Sequence, residues 1–413
     1  MRLLLLFILL LSGIHLQAQI DSTGHFITCW FQGDTVTNVV VPAPASVVDG
    51  TAEMQTQFDV VFTDSVPRDA EASIRFAAEV WGNYLTSSVP IRVEVGWEDQ
   101  GDERILASAG PTSIWRAFDG SIDDDVWYPV ALAEAILGVE LNDTSEADIN
   151  VVVNSTANWN YGTEGSVPRN RIDLASVILH ELGHGLGFLS SIDSTSDTTV
   201  SIGFDKMPII YDIFLETPPG RSLVDTFEFR SPSPELLAAV IDRLEFAGDS
   251  AVAKNDGELV PLFAPETFDI GSSVSHLDER TYRPGNRDAL MTPSIASGEA
   301  IRDPGPVTLG LLFDLGWPLR FELVSSLHEI VAGRLSIFPN PAAGAFTVEL
   351  DERATAPTMA YLYGADGREV HRQPIDPAGS RQIQIEVQNL PPGIYTLLVP
   401  DGARAYTGRV MLQ

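Results

Sequence analysis

The chain has 413 residues, with 57 acidic side chains against 25 basic ones and a formal net charge of −32. A surface this acidic excludes nucleic-acid binding as the default, because phosphate contacts need basic side chains. The length allows two or three domains, and Cys29 is the only cysteine, which excludes an intramolecular disulfide.

In chain order, Met1 and Arg2 precede an apolar run from Leu3 to Leu11 and a small-residue stop near Ala18. This reads as a signal peptide over 1–18, shorter than the roughly 20 helical residues that span a bilayer. No later segment is long and apolar enough to be a transmembrane segment, so export is expected. Residues 19–56 are valine-rich and irregular and read as an N-terminal extension. Within it, Cys29 is expected to be a small buried hydrophobe; the sharper alternative is a thiolate capping a metal. From residue 57 the pattern is regular. Residues 58–62 and 91–97 alternate as strands, and 69–85 carries a helical stripe of Ile74, Ala78, Trp81 and Leu85. A short helix is expected over 131–137. ADINVVVN at 147–154 is the strongest strand signal, with Ile149, Val151 and Val153 on one face. The acidic run Asp123-Asp124-Asp125 is expected to be a solvated loop rather than a calcium site.

The most informative run is VILHELGHGLGFLS, Val177–Ser190. His180 and His184 are a rotation of about 400° apart on a helix, so both imidazoles project from nearly one face, roughly 6 Å apart along the axis. Two neutral imidazoles so placed can share one metal, and zinc (Zn2+) is the usual occupant. Glu181, between them, is positioned to take a proton from a water, as hydrolysis requires. Asp173 is the expected N-cap of this helix. Glycines follow at 183, 185 and 187.

Catalytic zinc needs three protein ligands and an open position. Short-spacer metzincin peptidases take the third from H-E-x-x-H-x-x-G-x-x-H. Here Gly187 fits, but the third slot holds Ser190, a poor ligand. Among the other histidines, His15 belongs to the signal peptide, His25 to the extension, His328 to a linker and His371 to the C-terminal region. His276 is the remaining candidate, with Met291 following in a Leu-Met-Thr-Pro turn. Acidic alternatives for the third ligand are Asp205, Asp212 and Glu216. Tyr282 is a minor candidate for an oxyanion contact.

Residues 191–275 form a long mixed stretch, with helices expected over 205–216 and 234–246, and 307–317 reads as a helix stopped by Gly316 and Pro318. A composition break separates 57–320 from a linker at 321–333. Residues 334–413 carry short alternating strands between Gly, Pro and Asp turns, the pattern of a small all-β, Ig-like sandwich.

HELGHGLGF, the long insertion, S-H-L-D, L-M-T-P and a closing D-L-G-W together resemble the leishmanolysin-type metzincins and their secreted bacterial relatives. The resemblance covers about 57–320 and implies an α+β metzincin-type catalytic domain, a twisted sheet with an active-site helix. It implies that His180, His184 and His276 bind zinc, that Glu181 is the general base, and that Met291 floors the metal without ligating it. It also implies that 147–154 is an edge strand that pairs with extended substrates. The chain departs from the family in lacking its many cysteines. IFPNPA, LPPGIYTLLV and the terminal GRVMLQ resemble the type A sorting domain of the type IX secretion system. The expectation is therefore a secreted or surface zinc metalloendopeptidase acting on protein or peptide substrates, exported through the periplasm by the type IX machinery. The alternative is a non-catalytic adhesin or binding protein on a metallopeptidase scaffold.

Overall fold

A computed structural model describes residues 18–21, 27–320, 331–333, 335–350, 358–364, 369–375, 382–387, 390–401 and 404–413. The expected signal peptide up to residue 17, His25, His328, most of the linker and the side chain of Cys29 lie outside the described residues.

The alternating stretches pair into a six-stranded mixed sheet. In chain order its strands are β1 (Ile27–Val36), β2 (Phe58–Phe62), β3 (Ile91–Glu98), β4 (Ile105–Pro111), β5 (Ile149–Asn154) and β6 (Ser294–Ser297), and across the sheet they run β6-β1-β4-β5-β3-β2. Helix α1 (Arg68–Tyr84) makes the crossover that lets β2 and β3 run parallel. One face is apolar: Val60, Ile91, Val93, Val95, Ile149, Val151 and Val153 are all buried. The opposite face carries half-buried or exposed Arg92, Glu94, Asn150 and Val152. Helix α2 (Val130–Leu137), helix α3 (Leu174–Gly185) and helix α4 (Gly305–Asp314) complete the principal helices around this core.

Two expectations are corrected here. The stretch 19–56 is not a mere extension, because β1 is an internal strand, antiparallel to β4 and parallel to β6. Val40–Val41 then pairs with Ala300–Ile301. Nor is 147–154 an edge: β5 lies between β3 and β4, with both sides of its backbone hydrogen-bonded. The edges are β2 and β6.

The insertion folds into small pieces on the same core. Its four-stranded sheet joins Arg221–Ser222, Leu215–Thr217, Glu245–Phe246 and Val260–Pro261. The helices expected at 205–216 and 234–246 shrink to a 3-10 turn, Ile210–Phe214, and a helix, Pro234–Val240. Residues 245–246 become a strand instead. In the C-terminal region, a five-stranded and a three-stranded sheet enclose a second core around Phe346, Val348, Leu362, Leu397 and Val410. Tyr363 and Leu398 face the main core, and Arg372 donates to the Ala135 carbonyl at 2.9 Å.

Candidate metal centre

Helix α3 is buried along its whole length. At its start, Asp173 accepts from the Ser176 amide at 3.2 Å and is gripped by Arg302, whose guanidinium reaches both carboxylate oxygens at 2.9 and 2.7 Å. That guanidinium also donates to the carbonyls of Gly162 and Gly165. At its end, Gly187 takes a φ of +118°, which a glycine accepts at no cost. The Phe188 amide then returns to the Gly183 carbonyl at 3.0 Å, satisfying a carbonyl the helix would leave open. Two indoles fix the helix axis: Trp81 donates to Leu179 O at 2.9 Å and Trp317 to Leu186 O at 2.7 Å. The glycines let α3 sit close to its neighbours. A Cβ at Gly183 would lie 2.7 Å from the sulfur of Met291, and one at Gly185 would lie 2.3 Å from Cγ2 of Ile149.

His180, His184 and His276 converge, with their ligand nitrogens all within 4.8 Å of one another. Among the described residues this is the one group of His, Cys, Asp or Glu side chains so arranged. The Nε2 atoms of His180 and His184 are 2.9 Å apart, and those of His180 and His276 are 3.3 Å apart. Each Nδ1 lies 2.7 Å from a backbone carbonyl: Leu290 for His180, Phe188 for His184 and Ser272 for His276. A carbonyl only accepts, so each Nδ1 carries the proton and each Nε2 presents a lone pair. Burial keeps the rings neutral. It lowers His180 to about 4 and His276 to about 3, and holds His184 well below the ordinary histidine range. Three lone pairs thus lie close together with no proton among them, a cluster that a cation would relieve of repulsion. Tetrahedral zinc with bonds of about 2.0–2.1 Å sets its nitrogens roughly 3.3 Å apart. The donor set, three neutral imidazole nitrogens, suits a divalent metal such as zinc, and the His180–His276 separation of 3.3 Å matches that value.

The flanking residues sort as follows. Glu181 is fully buried on the same helix and is not part of the three-nitrogen cluster. Met291 is fully buried against Gly183, and its carbonyl accepts from the Leu277 amide at 2.7 Å, next to His276. The acidic alternatives do not reach the cluster. Asp205 is exposed in a turn, and Glu216 lies in the insertion's sheet. Asp212 is fully buried but already engaged, accepting from Ser190 Oγ at 2.6 Å, from Ser191 and from the Ile209 amide. Tyr282 is withdrawn from the site, its hydroxyl bonded to Asn255 Oδ1 at 2.8 Å. Residue patterns gave no role to Arg302 or Tyr211, and placed Trp81 only in a helical stripe and Asp212 only among the acidic ligand alternatives, without showing that they hold backbone groups, a buried carboxylate or buried hydroxyls. The closing D-L-G-W was the one cue for Trp317.

Residues 336–413 match the family described as secretion system C-terminal sorting domain. The chain carries a type IX sorting domain. It is exported through that machinery to the cell surface or beyond, and no described helix is long and apolar enough to cross a membrane. Residues 46–218 match a family described as SPBPB7E8-like, a span that includes His180, Glu181 and His184 but stops before His276. No curated protein matches. Among solved structures, a DUF3244 family protein with an immunoglobulin-like β-sandwich from Bacteroides vulgatus is similar at 18% identity, over 19% of this chain and 83% of that one, with a TM-score of 0.17. A thermostable endoglucanase from Alicyclobacillus acidocaldarius is 24% identical over 17% of this chain and 12% of its own, with a TM-score of 0.14. A β-glucuronidase from Faecalibacterium prausnitzii is 22% identical over 19% of this chain and 14% of its own, with a TM-score of 0.16. These likenesses are confined to less than a fifth of the chain.

Proposed function

We propose that this exported protein is a zinc metalloendopeptidase of the leishmanolysin-like metzincin type, with an α+β catalytic domain over roughly 57–320 and the N-terminal strands added to it. The observation that carries the reading is the convergence of three neutral imidazoles, two of them flanking a glutamate on one helix. His180, His184 and His276 would hold the metal. Bound zinc supplies Lewis acidity, polarising the scissile carbonyl and acidifying water. Glu181 accepts the proton of the attacking water and returns it to the leaving amine, the work of a general base that then serves as acid. The carbonyls of Leu290, Phe188 and Ser272 hold the three rings in the tautomer that ligation needs. Met291 supports the helix turn between the two histidines.

The test is hydrolysis of casein or gelatin by the full chain. Activity is expected in the wild type, lost on chelation and restored by zinc. Glu181→Gln is expected to retain zinc and lose cleavage, and an active Glu181→Gln protein would sink the mechanism. One observation favours a second reading, a non-catalytic surface-binding protein on a peptidase scaffold. His184, His276 and Glu181 have no exposed surface and His180 is only 3 % exposed. Under that reading zinc binds and stabilises the protein, yet no protein substrate is cleaved.

A further inference from the structure

Ser190 occupies the slot that a short-spacer site would give to its third histidine, and its hydrogen bonds reach the segment that carries His276. The Ser190 amide donates to Ser275 Oγ at 3.0 Å, while its hydroxyl donates to Asp212 Oδ1 at 2.6 Å and accepts from the Ile192 amide at 3.1 Å. Asp212 also takes the Ser191 amide at 3.2 Å and the Ile209 amide at 3.1 Å. The neighbouring Tyr211 donates its hydroxyl to the Val274 carbonyl at 2.9 Å. Tyr211, Asp212, Ser190, Val274 and Ser275 are all 0–2 % exposed. Two consecutive residues of the insertion therefore tie its two ends together. Asp212 fixes the turn that leaves the histidine helix, and that turn grips Ser275. Tyr211 grips Val274 directly. His276 is the next residue along.

We infer that Ser275 and Tyr211 are positioning residues for the third metal ligand, with Ser190 and Asp212 linking them to the histidine helix. The inference rests on the zinc reading of the three-histidine cluster. A ligand carried 92 residues beyond His184 has no helix to fix it relative to the pair. A chain that folds without these tethers would pay the ordering cost of the His276 segment each time it binds metal.

The test uses the full chain and the variants Ser275→Ala and Tyr211→Phe, each of which removes one hydroxyl. Zinc affinity is read by competition with a chromophoric chelator, site geometry by the visible spectrum of the cobalt-substituted protein, and fold by the melting temperature of the metal-free form. Ser250→Ala is the control, a buried serine whose hydroxyl bonds Asp314 away from the histidines. Each tether variant is expected to weaken zinc binding by about 10- to 100-fold and to alter the cobalt spectrum. The control is expected to lower the melting temperature with zinc affinity unchanged. Tether variants that melt lower but keep wild-type zinc affinity and cobalt spectrum would show a merely structural role and overturn the inference. A wild type that takes up no zinc overturns the metal reading itself, and the inference with it.

Discussion

Gly185→Ala puts one methyl where the structure has no room. The new Cβ would lie 2.3 Å from Cγ2 of Ile149 and 2.8 Å from both Cγ1 and Cδ1. Carbon atoms in contact sit about 3.5–4.0 Å apart, so the shortfall at the closest contact is about 1.2–1.7 Å. Ile149 has no exposed surface and belongs to β5, which is bonded on both sides, so it has nowhere to go. The helix must move instead, carrying His184 with it. Overpacking of this kind costs about 1–3 kcal/mol, and replacing a helical glycine by alanine offsets about 0.5–1 kcal/mol. The difference spans about 0–2.5 kcal/mol, and a contact this short puts the loss near about 2 kcal/mol, which corresponds to a melting temperature lower by about 4–8 °C. Zinc affinity should fall as well, by about tenfold or more, because one ligand is displaced from the other two. Calorimetry of the metal-free protein reads the first effect, and chelator competition reads the second. A variant that melts and binds zinc as the wild type does would show that α3 does not pack on β5 as described.

His276→Ala should leave the protein folded without bound metal and reduce zinc content after dialysis to well below one per chain, measured by elemental analysis; full zinc retention would remove His276 from the ligand set. Arg302→Ala strands a buried carboxylate at the start of the histidine helix, since Arg302 is 2 % and Asp173 0 % exposed. Breaking such a pair costs about 3–5 kcal/mol, and a urea titration showing a loss under about 1 kcal/mol would contradict that role. Asp314 is raised by burial from 3.8 to about 7. A carboxyl raised in the folded state favours folding at low pH, and that contribution is lost as pH rises through the folded value. Asp314→Asn should therefore lose less stability than the wild type between about pH 4 and about pH 7. Equal losses in both proteins would mean that this carboxyl ionises freely.

The parts of the fold that were legible depended on periodicity within one segment. The stripe of Ile74, Ala78 and Trp81 marked α1 to within a residue at each end, and Ile149, Val151 and Val153 marked β5. The strand order was not legible. Nothing in the pattern of 147–154 says that β4 would cover the side opposite β3. Nothing local to 27–36 says that its partners are residues 105–109 and 294–297. The helix expected over 205–216 does not form at that length. The buried carboxylate of Asp212 instead satisfies the Ile209 amide and two serines, which suits a short 3-10 turn. In the candidate site, the three clustered histidines were legible as residue types and the groups that hold them were not. Backbone carbonyls at Leu290, Phe188 and Ser272 orient the rings, and a carbonyl leaves no mark in the sequence.

Those three carbonyls also decide how the centre depends on the rest of the fold. Phe188 O belongs to the turn that ends α3, so His184 is oriented by its own helix. Leu290 O lies 110 residues from His180, next to Met291, and Ser272 O lies within the final turn of the insertion. The Leu277 amide then bonds the Met291 carbonyl, joining the second and third of these segments. Orienting His180 and His184 thus needs the helix and the methionine turn, and the full set of three is oriented only when the insertion's end joins them. The unfolded chain offers at most the two helix-spaced histidines, so under the proposed zinc reading the metal's binding free energy would be largely folding free energy. Zinc at about 1,000 times its dissociation constant would add about 4.1 kcal/mol to the folded state. On that reading the gain would require all three segments, and a tether distant from the metal would then govern its affinity.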